Sequence, residues 1–348
     1  MVTIKEIAKA VGVSSATVSR VLNYDPALSI SPVKRQAIIE TAEELNYETP
    51  RNRNKSNGAA TPSLLTKLVI VHFLEPSDEI ADPYYVGVRL GIETRCRDLK
   101  TEIVKIFHSD NLPEASLLES ASGIIVIGKH SDNEIEWLTQ HGRHVVFADF
   151  DPKNEHIDST FSDVGLATEK ILDSLKASGY RRIGFIGSHE NLNGSVQQFG
   201  EKRCAAFIDW QKKNGTFDPT LMALADCSNG QSLRLDTGYR LARDLLTLSE
   251  KPDVIVTSND NMAIGTYRAL QEAGLSIPDD VAVISFNDIP VAQFLTPPLT
   301  TVRIHGEHIG EAAVDLLLER LSGRCYGKQV RIATELIWRE SCRKPRES

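Results

Sequence analysis

Thr3-Ile-Lys-Glu-Ile-Ala-Lys-Ala-Val-Gly-Val-Ser-Ser-Ala-Thr-Val-Ser-Arg-Val-Leu-Asn23 is the stretch on which the fold turns. Ile4, Ile7, Ala8 and Val11 recur at helical spacing and share one face. Gly12 breaks that helix, Val13 fills the angle, and Ser14 can N-cap a second helix that turns Val18, Val21 and Leu22 inward. Ala8 is small where two helices must approach. The outward face of the second helix carries Ser15, Ala16, Thr17, Ser19, Arg20 and Asn23. That is the grammar of a helix-turn-helix, whose second helix lies in the DNA major groove with its N-terminal residues at base edges. Ser31 and Pro32 then read as the cap and first residue of a third helix, with Ile38, Ile39, Ala42 and Leu45 as its buried stripe.

Residues outside this head differ in character. Residues 1–60 hold eight Lys/Arg against six Asp/Glu, whereas the whole chain of 348 residues is acidic at −8. A slightly basic head on an acidic body suits a small polyanion-binding module attached to something else. Residues 48–63 contain no Leu, Ile, Val, Met or aromatic side chain, so they can offset little ordering entropy and read as a linker. The domains expected are therefore a head (1–47), a linker or hinge (48–63), a body (64–342) and a tail (343–348). No apolar run reaches the length of a spanning helix, and the amino terminus lacks the pattern of a secretory signal. Cys96, Cys204, Cys227, Cys325 and Cys342 are odd in number, scattered and never in C-x-x-C, which suits reduced thiols in the cytoplasm.

From Leu64 onward, short apolar runs alternate with amphipathic stretches. The strand candidates are Lys67–Phe73, Glu102–Phe107, Gly123–Gly128, His144–Phe150, Arg182–Gly187, Val254–Ser258 and Val281–Phe286. The helical ones are Tyr84–Leu99, Val164–Ser178, Glu201–Asn214, Thr237–Leu248 and Asn261–Ala273, with Gly179 and Gly274 at left-handed C-terminal positions. Near-continuous apolar strands are buried on both faces, as in a parallel sheet. The pattern predicts a doubly wound α/β body, and its width predicts two lobes rather than one sheet.

The head resembles that of the lac/gal repressor (LacI/GalR) family, whose members begin T-[IL]-x-[DE]-[IV]-A-x-x-A-G-V-S-x-x-T-V-S-R-V-[IL]-N. Val11 stands here where Ala is usual. The likeness continues through Leu45-Asn-Tyr47, Val256-Thr-Ser-Asn-Asp-Asn-Met-Ala-Ile-Gly265, Ser285-Phe-Asn-Asp-Ile-Pro290 and Thr296-Pro-Pro-Leu-Thr-Thr301. It covers essentially all of the chain. It implies an all-α helix-turn-helix headpiece on an α/β body of two doubly wound lobes, similar to periplasmic sugar-binding proteins, with an effector between the lobes. Asp82-Pro-Tyr-Tyr, Gly91-Ile-Glu93 and Ser285–Pro290 look most like the branch of the evolved-β-galactosidase repressor and other galactoside-responsive regulators.

The resemblance places Ser15, Ala16 and Arg20 at base-reading positions and Thr3, Ser14, Thr17, Ser19, Asn23, Ser31 and Arg35 at phosphate contacts. The chemistry agrees, since Arg suits a guanine edge, Ala a thymine methyl, and hydroxyls suit phosphate oxygens. The linker departs from the family, which usually wedges a Leu from a hinge helix into the minor groove. Here Arg51, Arg53 and Lys55 either enter a narrow groove electrostatically or belong to a plain tether.

For the effector, ligands of open α/β sheets collect at strand carboxyl ends. Asp149, Asn259 and Asn287 sit there, Arg203 matches the family's arginine in Arg203-Cys-Ala-Ala-Phe207, and Tyr84 with Tyr85 forms the aromatic pair after the first strand. Carboxylate, amide and guanidinium groups suit vicinal hydroxyls, and aromatic rings suit a pyranose face. Tyr84 reads equally as core, Asp260 as a helix N-cap and Asp288 as a loop-holder. Asn287 replaces the first Asp of the family's pair, and Leu233 stands where many members carry a large aromatic residue.

Phosphate-loop, nucleophile-elbow and zinc-protease signatures are all missing from the sequence, so no enzyme, cofactor or metal is expected. His305, Glu307, His308 and Glu311 read as solvated helix polars. The expected protein is a cytoplasmic transcriptional repressor of a sugar-utilisation operon. It would be a homodimer on a pseudo-palindromic operator, answering to a galactoside or galactose, and not membrane-bound. A dimer rather than a tetramer is expected because residues 338–348 carry no apolar heptad. The rival readings are a regulator of the same family answering to a purine or a phosphoprotein, and a sugar-binding protein with no DNA role.

Overall fold

The computed structural model describes residues 4–22, 30–44, 65–107, 112–192, 195–225 and 234–345. The chain divides into two compact units, Met1–Pro62 and Ser63–Ser348.

The first unit holds α1 (Ile4–Val11), α2 (Ser15–Leu22) and α3 (Pro32–Glu44). Gly12 takes φ +69°, a left-handed value that a β-carbon resists, and Val13 N–H donates back to the Ala8 carbonyl at 3.0 Å. Ser14 Oγ then accepts from Thr17 N at 3.1 Å and caps α2, as its sequence position suggests. Ser31 Oγ does the same for Lys34 N at 3.4 Å, ahead of Pro32. Ile7, Ala8, Val18, Val21, Ile38 and Ala42 are buried together and form the whole described core of this unit.

The second unit is built from two sheets. In chain order its elements are β1 (Lys67–His72), α4 (Pro76–Ala81), α5 (Pro83–Leu99), β2 (Glu102–Phe107), α6 (Ala115–Glu119), β3 (Gly123–Ile127), α7 (Asp132–His141), β4 (Val145–Ala148) and β5 (Asp158–Ser162). There follow α8 (Val164–Ala177), β6 (Ile183–Ser188), β7 (Glu190–Leu192), β8 (Ser195–Gln197), α9 (Lys202–Lys213), β9 (Met222–Ala225), α10 (Leu235–Leu246) and β10 (Val254–Thr257). The last are α11 (Asp260–Glu272), β11 (Ala282–Asn287), β12 (Thr300–Arg303), α12 (Gly306–Leu321), β13 (Gln329–Ile332) and β14 (Glu335–Ile337).

One sheet runs β13-β5-β4-β3-β1-β2 with every described pairing parallel. The other runs β14-β12-β11-β10-β6-β9 and is parallel except for its edge strand β14. Each lobe is thus doubly wound. The switch of strand order falls between β1 and β3 in one sheet and between β6 and β10 in the other. Ligands of such sheets bind at those points. The chain passes from the first lobe to the second at Asp163. It returns after β12 so that α12 and β13 complete the first lobe, and crosses again to β14.

Strands β5, β7, β8, β9, β12, β13 and β14 are absent from the sequence-based expectation. In β5 the reason is chemical: Asp158, Ser159 and Thr160 are all fully buried, so no apolar run betrays the strand. Asp158 is satisfied by Arg320 at 2.6 Å, Arg324 at 2.8 Å and Lys328 N at 2.7 Å, and Thr160 Oγ1 donates to the Ile309 carbonyl at 3.0 Å. Those bonds pin α12 to the first lobe. At the crossing of α5 and α12, a β-carbon on Gly91 would lie 2.0 Å from the Glu307 carbonyl oxygen, and one on Gly310 2.1 Å from that of Val88. Glycine at both positions lets the two backbones touch.

Candidate functional site

The head presents α2 outward. Ser14, Ala16, Arg20 and Ser31 are exposed, while Ser15, Thr17, Ser19 and Arg35 are partly covered. Ser14 Oγ also lies 2.8 Å from Thr17 Oγ1. This hydroxyl pair at the start of α2 suits a phosphate, where helix amides and a positive dipole end already favour an anion. Thr3, Asn23, Arg51 and Arg53 lie outside the described residues, as do Lys55 and Leu233.

In the body, Tyr84, Tyr85, Asp149, Arg203, Asn259 and Asn287 all line one cleft between the lobes. From the first lobe come the start of α5 and the ends of β3, β4 and β5. From the second come the start of α9 and the ends of β10 and β11. The sequence-based strand His144–Phe150 stops at Ala148, and the next residue, Asp149, adopts φ +60°. Its Oδ1 accepts from the Tyr84 hydroxyl at 2.7 Å. Burial raises Asp149 above the ordinary carboxylate range, against the pull of the two tyrosines and Arg203. Tyr84 and Tyr85 stand edge to face at 5.0 Å and, being buried, hold their protons well beyond the usual pH. Tyr84 is therefore both buried and part of the cleft wall.

Arg203 is held as firmly. Its Nε donates to Glu201 at 3.0 Å, its Nη1 donates to the Ser258 carbonyl at 2.6 Å, and its guanidinium lies 5.5 Å from the ring centre of Phe286. Glu201 meanwhile caps α9 by accepting from the amides of Arg203 and Cys204. Burial pushes Glu201 upward, but Arg203, Lys129 and those amides outweigh it and the carboxylate rests below its usual range. Across the cleft, Lys129 Nζ of the first lobe meets Glu190 of the second at 2.7 Å. Asn261 donates to the Ala81 carbonyl at 2.9 Å, and Arg234 pairs with Asp78. The lobes are thus tied at the mouth as well as at the crossovers.

One expectation changes. The N-cap of α11 is Asn259, whose Oδ1 accepts from Met262 N at 2.9 Å, and not Asp260. Asp260 is fully buried and accepts instead from Ile289 N and Thr301 Oγ1, both at 2.8 Å, tying α11 to β12. The cap thus sits one residue earlier, which engages the Asn259 oxygen. Asp288 does hold its loop, through Arg303 at 2.8 Å and Arg339 at 2.7 Å. His308 pairs with Glu311 at 2.9 Å.

The reading from sequence missed Asp82, Lys129, Phe150, Phe161, Glu190, Glu201 and Lys202 in the cleft wall. Asp82 was visible as the residue before Pro83, a helix-start signature, and its Oδ1 indeed accepts from Tyr84 N at 3.2 Å. Lys129 and Glu190 sit just beyond strand ends with no local pattern to mark them.

A helix-turn-helix unit joined to a two-lobed α/β unit with a polar cleft at its strand ends defines a DNA-binding regulator of transcription rather than an enzyme. The family model described as "Bacterial regulatory proteins, lacI family" matches residues 3–50, and the one described as "Periplasmic binding protein-like domain" matches residues 172–342. The "HTH-type transcriptional repressor MelR" of Bacillus subtilis (strain 168) is 36% identical over 348 residues, covering 98% of each chain. The chain belongs to the lacI family of bacterial regulatory proteins. The "Lactose operon repressor" of Rhizobium radiobacter is 68% identical over 113 residues, 32% of this chain and 100% of that one. Among solved structures, the transcriptional regulator CelR–cellobiose complex aligns with a TM-score of 0.67 at 23% identity, over 98% of this chain and 100% of that one. The lac repressor dimer bound to operator and the anti-inducer ONPF aligns at 0.66 and 22% identity, over 98% of both chains. These two share the fold. No helix among the described residues is long and apolar enough to cross a membrane.

Proposed function

We propose that the protein is a repressor of a sugar-utilisation operon, bound to a pseudo-palindromic operator as a homodimer and controlled by a small sugar, a galactoside or galactose, in the cleft. The observation that carries this reading is the meeting of Tyr84, Asp149, Arg203, Asn259 and Asn287, drawn from both lobes, around one cleft. Such a site can favour one lobe arrangement over another, and a ligand shifts DNA affinity only as far as it has that preference. Cellobiose in the similar CelR and the name of the Rhizobium radiobacter relative support the sugar class. Operator binding would place the protein in the cytoplasm. Phe294, 77% exposed, is the apolar side chain that a second copy would cover. Isothermal titration of the full chain with a panel of mono- and disaccharides, repeated with operator present, tests the function. Sedimentation tests the dimer, which Phe294→Asp should weaken; a stable tetramer at micromolar concentration contradicts it.

A further inference from the structure

Among the described residues, the cleft contains one carboxyl oxygen with no bonding partner. Asp82 is 4% exposed, its Oδ1 caps α5, and its Oδ2 is buried without a hydrogen bond. A buried acceptor left open in a cleft wall is costly unless something in the cleft meets it. Two of the cleft's three cations are held in ion pairs. Lys129 pairs with Glu190, Arg203 pairs with Glu201, and the Lys202 ammonium lies 5.2 Å from the ring centre of Phe161. Asp149 accepts from Tyr84.

Building on the cleft reading above, we propose that Asp82 is a specificity-determining residue: its Oδ2 accepts a hydroxyl from an uncharged sugar and disfavours phosphorylated ones. A phosphate would bring its negative charge into a cleft walled by four carboxyl groups, Asp82, Asp149, Glu190 and Glu201, against three cations, Lys129, Lys202 and Arg203, and would face the Asp82 carboxyl. A neutral polyol brings no charge and supplies the donor that Asp82 lacks. A hydroxyl donor also suits the ionised carboxylate better than the protonated one, because the charged acceptor makes the stronger bond. Burial raises Asp82 to about 7, Asp149 adds to this, and the Tyr84 amide and Arg203 oppose it. Tyr84 and Tyr85 from α5, Asp149 beyond β4, Lys129 beyond β3, Glu190 on β7, and Glu201, Lys202 and Arg203 at the start of α9 are the other titratable groups of the same cleft. Sugar affinity should therefore rise as pH rises through about 7, and the share due to Asp82 is the slope that disappears when Asp82 is replaced.

The test is isothermal titration of the full chain with methyl β-galactoside, lactose and galactose 6-phosphate at pH 8, on wild type, Asp82→Asn and Asp82→Ser. Asn and Ser both retain a side-chain acceptor for the start of α5, so unliganded thermal midpoints report whether the fold is kept. Asn puts a donor where Oδ2 was, and Ser puts nothing there. Both variants should bind the neutral galactosides at least about tenfold more weakly than wild type, and wild type should bind galactose 6-phosphate at least about tenfold more weakly than lactose. Equal affinity of wild type and a folded variant, or a preference for the phosphosugar, overturns the proposal. If Arg203→Lys loses the sugar while Asp82→Asn keeps it, only the role of Asp82 falls and the cleft reading stands. If wild type binds none of the three, both fall.

Discussion

The head and the cleft solve recognition in opposite ways. In the head, the described residues proposed to meet DNA are short hydroxyl or alanine side chains and two arginines, Arg20 and Arg35, on helices whose described core is six side chains. In the cleft, the residues proposed to meet a ligand are tyrosines, amides and ionisable groups, buried or partly buried, and Tyr84, Asp149 and Arg203 are each fixed by a partner. DNA brings its own charge and its own geometry, so the head needs only a correctly angled helix. A neutral sugar brings neither, and the protein must hold the polar constellation in place beforehand. The difference teaches where substitutions will be felt: in affinity alone for the head, in affinity and stability together for the cleft.

Arg203→Ala should produce the largest effect. It removes the cation beside the buried Glu201 and the donor to the Ser258 carbonyl. Loss of one partner from a buried pair costs about 3–5 kcal/mol of stability, and urea unfolding of the body should register it. The same change should weaken sugar binding at least about tenfold, equivalent to roughly 1.4 kcal/mol. A variant that unfolds like wild type would show that the cleft is not preorganised as described. Next comes Arg20→Ala, exposed on α2, which should cost about 1–3 kcal/mol in operator binding and relax one base pair per half-site. It should leave urea unfolding of the body unchanged. Equal losses on specific and random DNA would reduce Arg20 to a phosphate contact. Ser14→Ala should have the smallest effect. Removing the α2 cap costs about 1 kcal/mol, readable as a lower melting midpoint of the head and unaltered sugar affinity.

A pH experiment sharpens the comparison further. Burial raises Asp260 to about 7, against the bonds from Ile289 N and Thr301. An acid whose folded value is raised contributes stability that is present below its unfolded value near 3.8 and is lost as pH climbs through 7. Body stability should therefore fall between pH 4 and 7 through this group, and Asp260→Asn should flatten that slope. An unchanged slope in the variant would assign the pH dependence to other buried acids.

Legibility follows the same division. The head's helices were readable because Gly12, Ser14, Ser31 and Pro32 announce boundaries by local chemistry, and the apolar stripe does the rest. The inner strands were readable as apolar runs. Strand β5 was not, because Asp158, Ser159 and Thr160 are buried polar residues and Asp158 and Thr160 are satisfied by residues about 150 positions or more further along, a relation no local pattern carries. The cleft shows the same limit. Residues belonging to motifs, such as Arg203 and Asn259, could be nominated, whereas Lys129 and Glu190 meet only when two lobes close. Asp260 was assigned a cap that Asn259 makes, because either residue type at adjacent positions can cap a helix and only the backbone geometry decides.

The account stands on coupling between the cleft and the head, and linkage makes that measurable from both ends. The operator dissociation constant of the full chain is measured with and without saturating sugar, using the tightest binder from the panel. That sugar's own constant is then measured with and without operator. The account predicts that the sugar changes operator affinity at least about tenfold, and that operator changes sugar affinity by the same factor. An operator constant that stays the same at saturating sugar would contradict it.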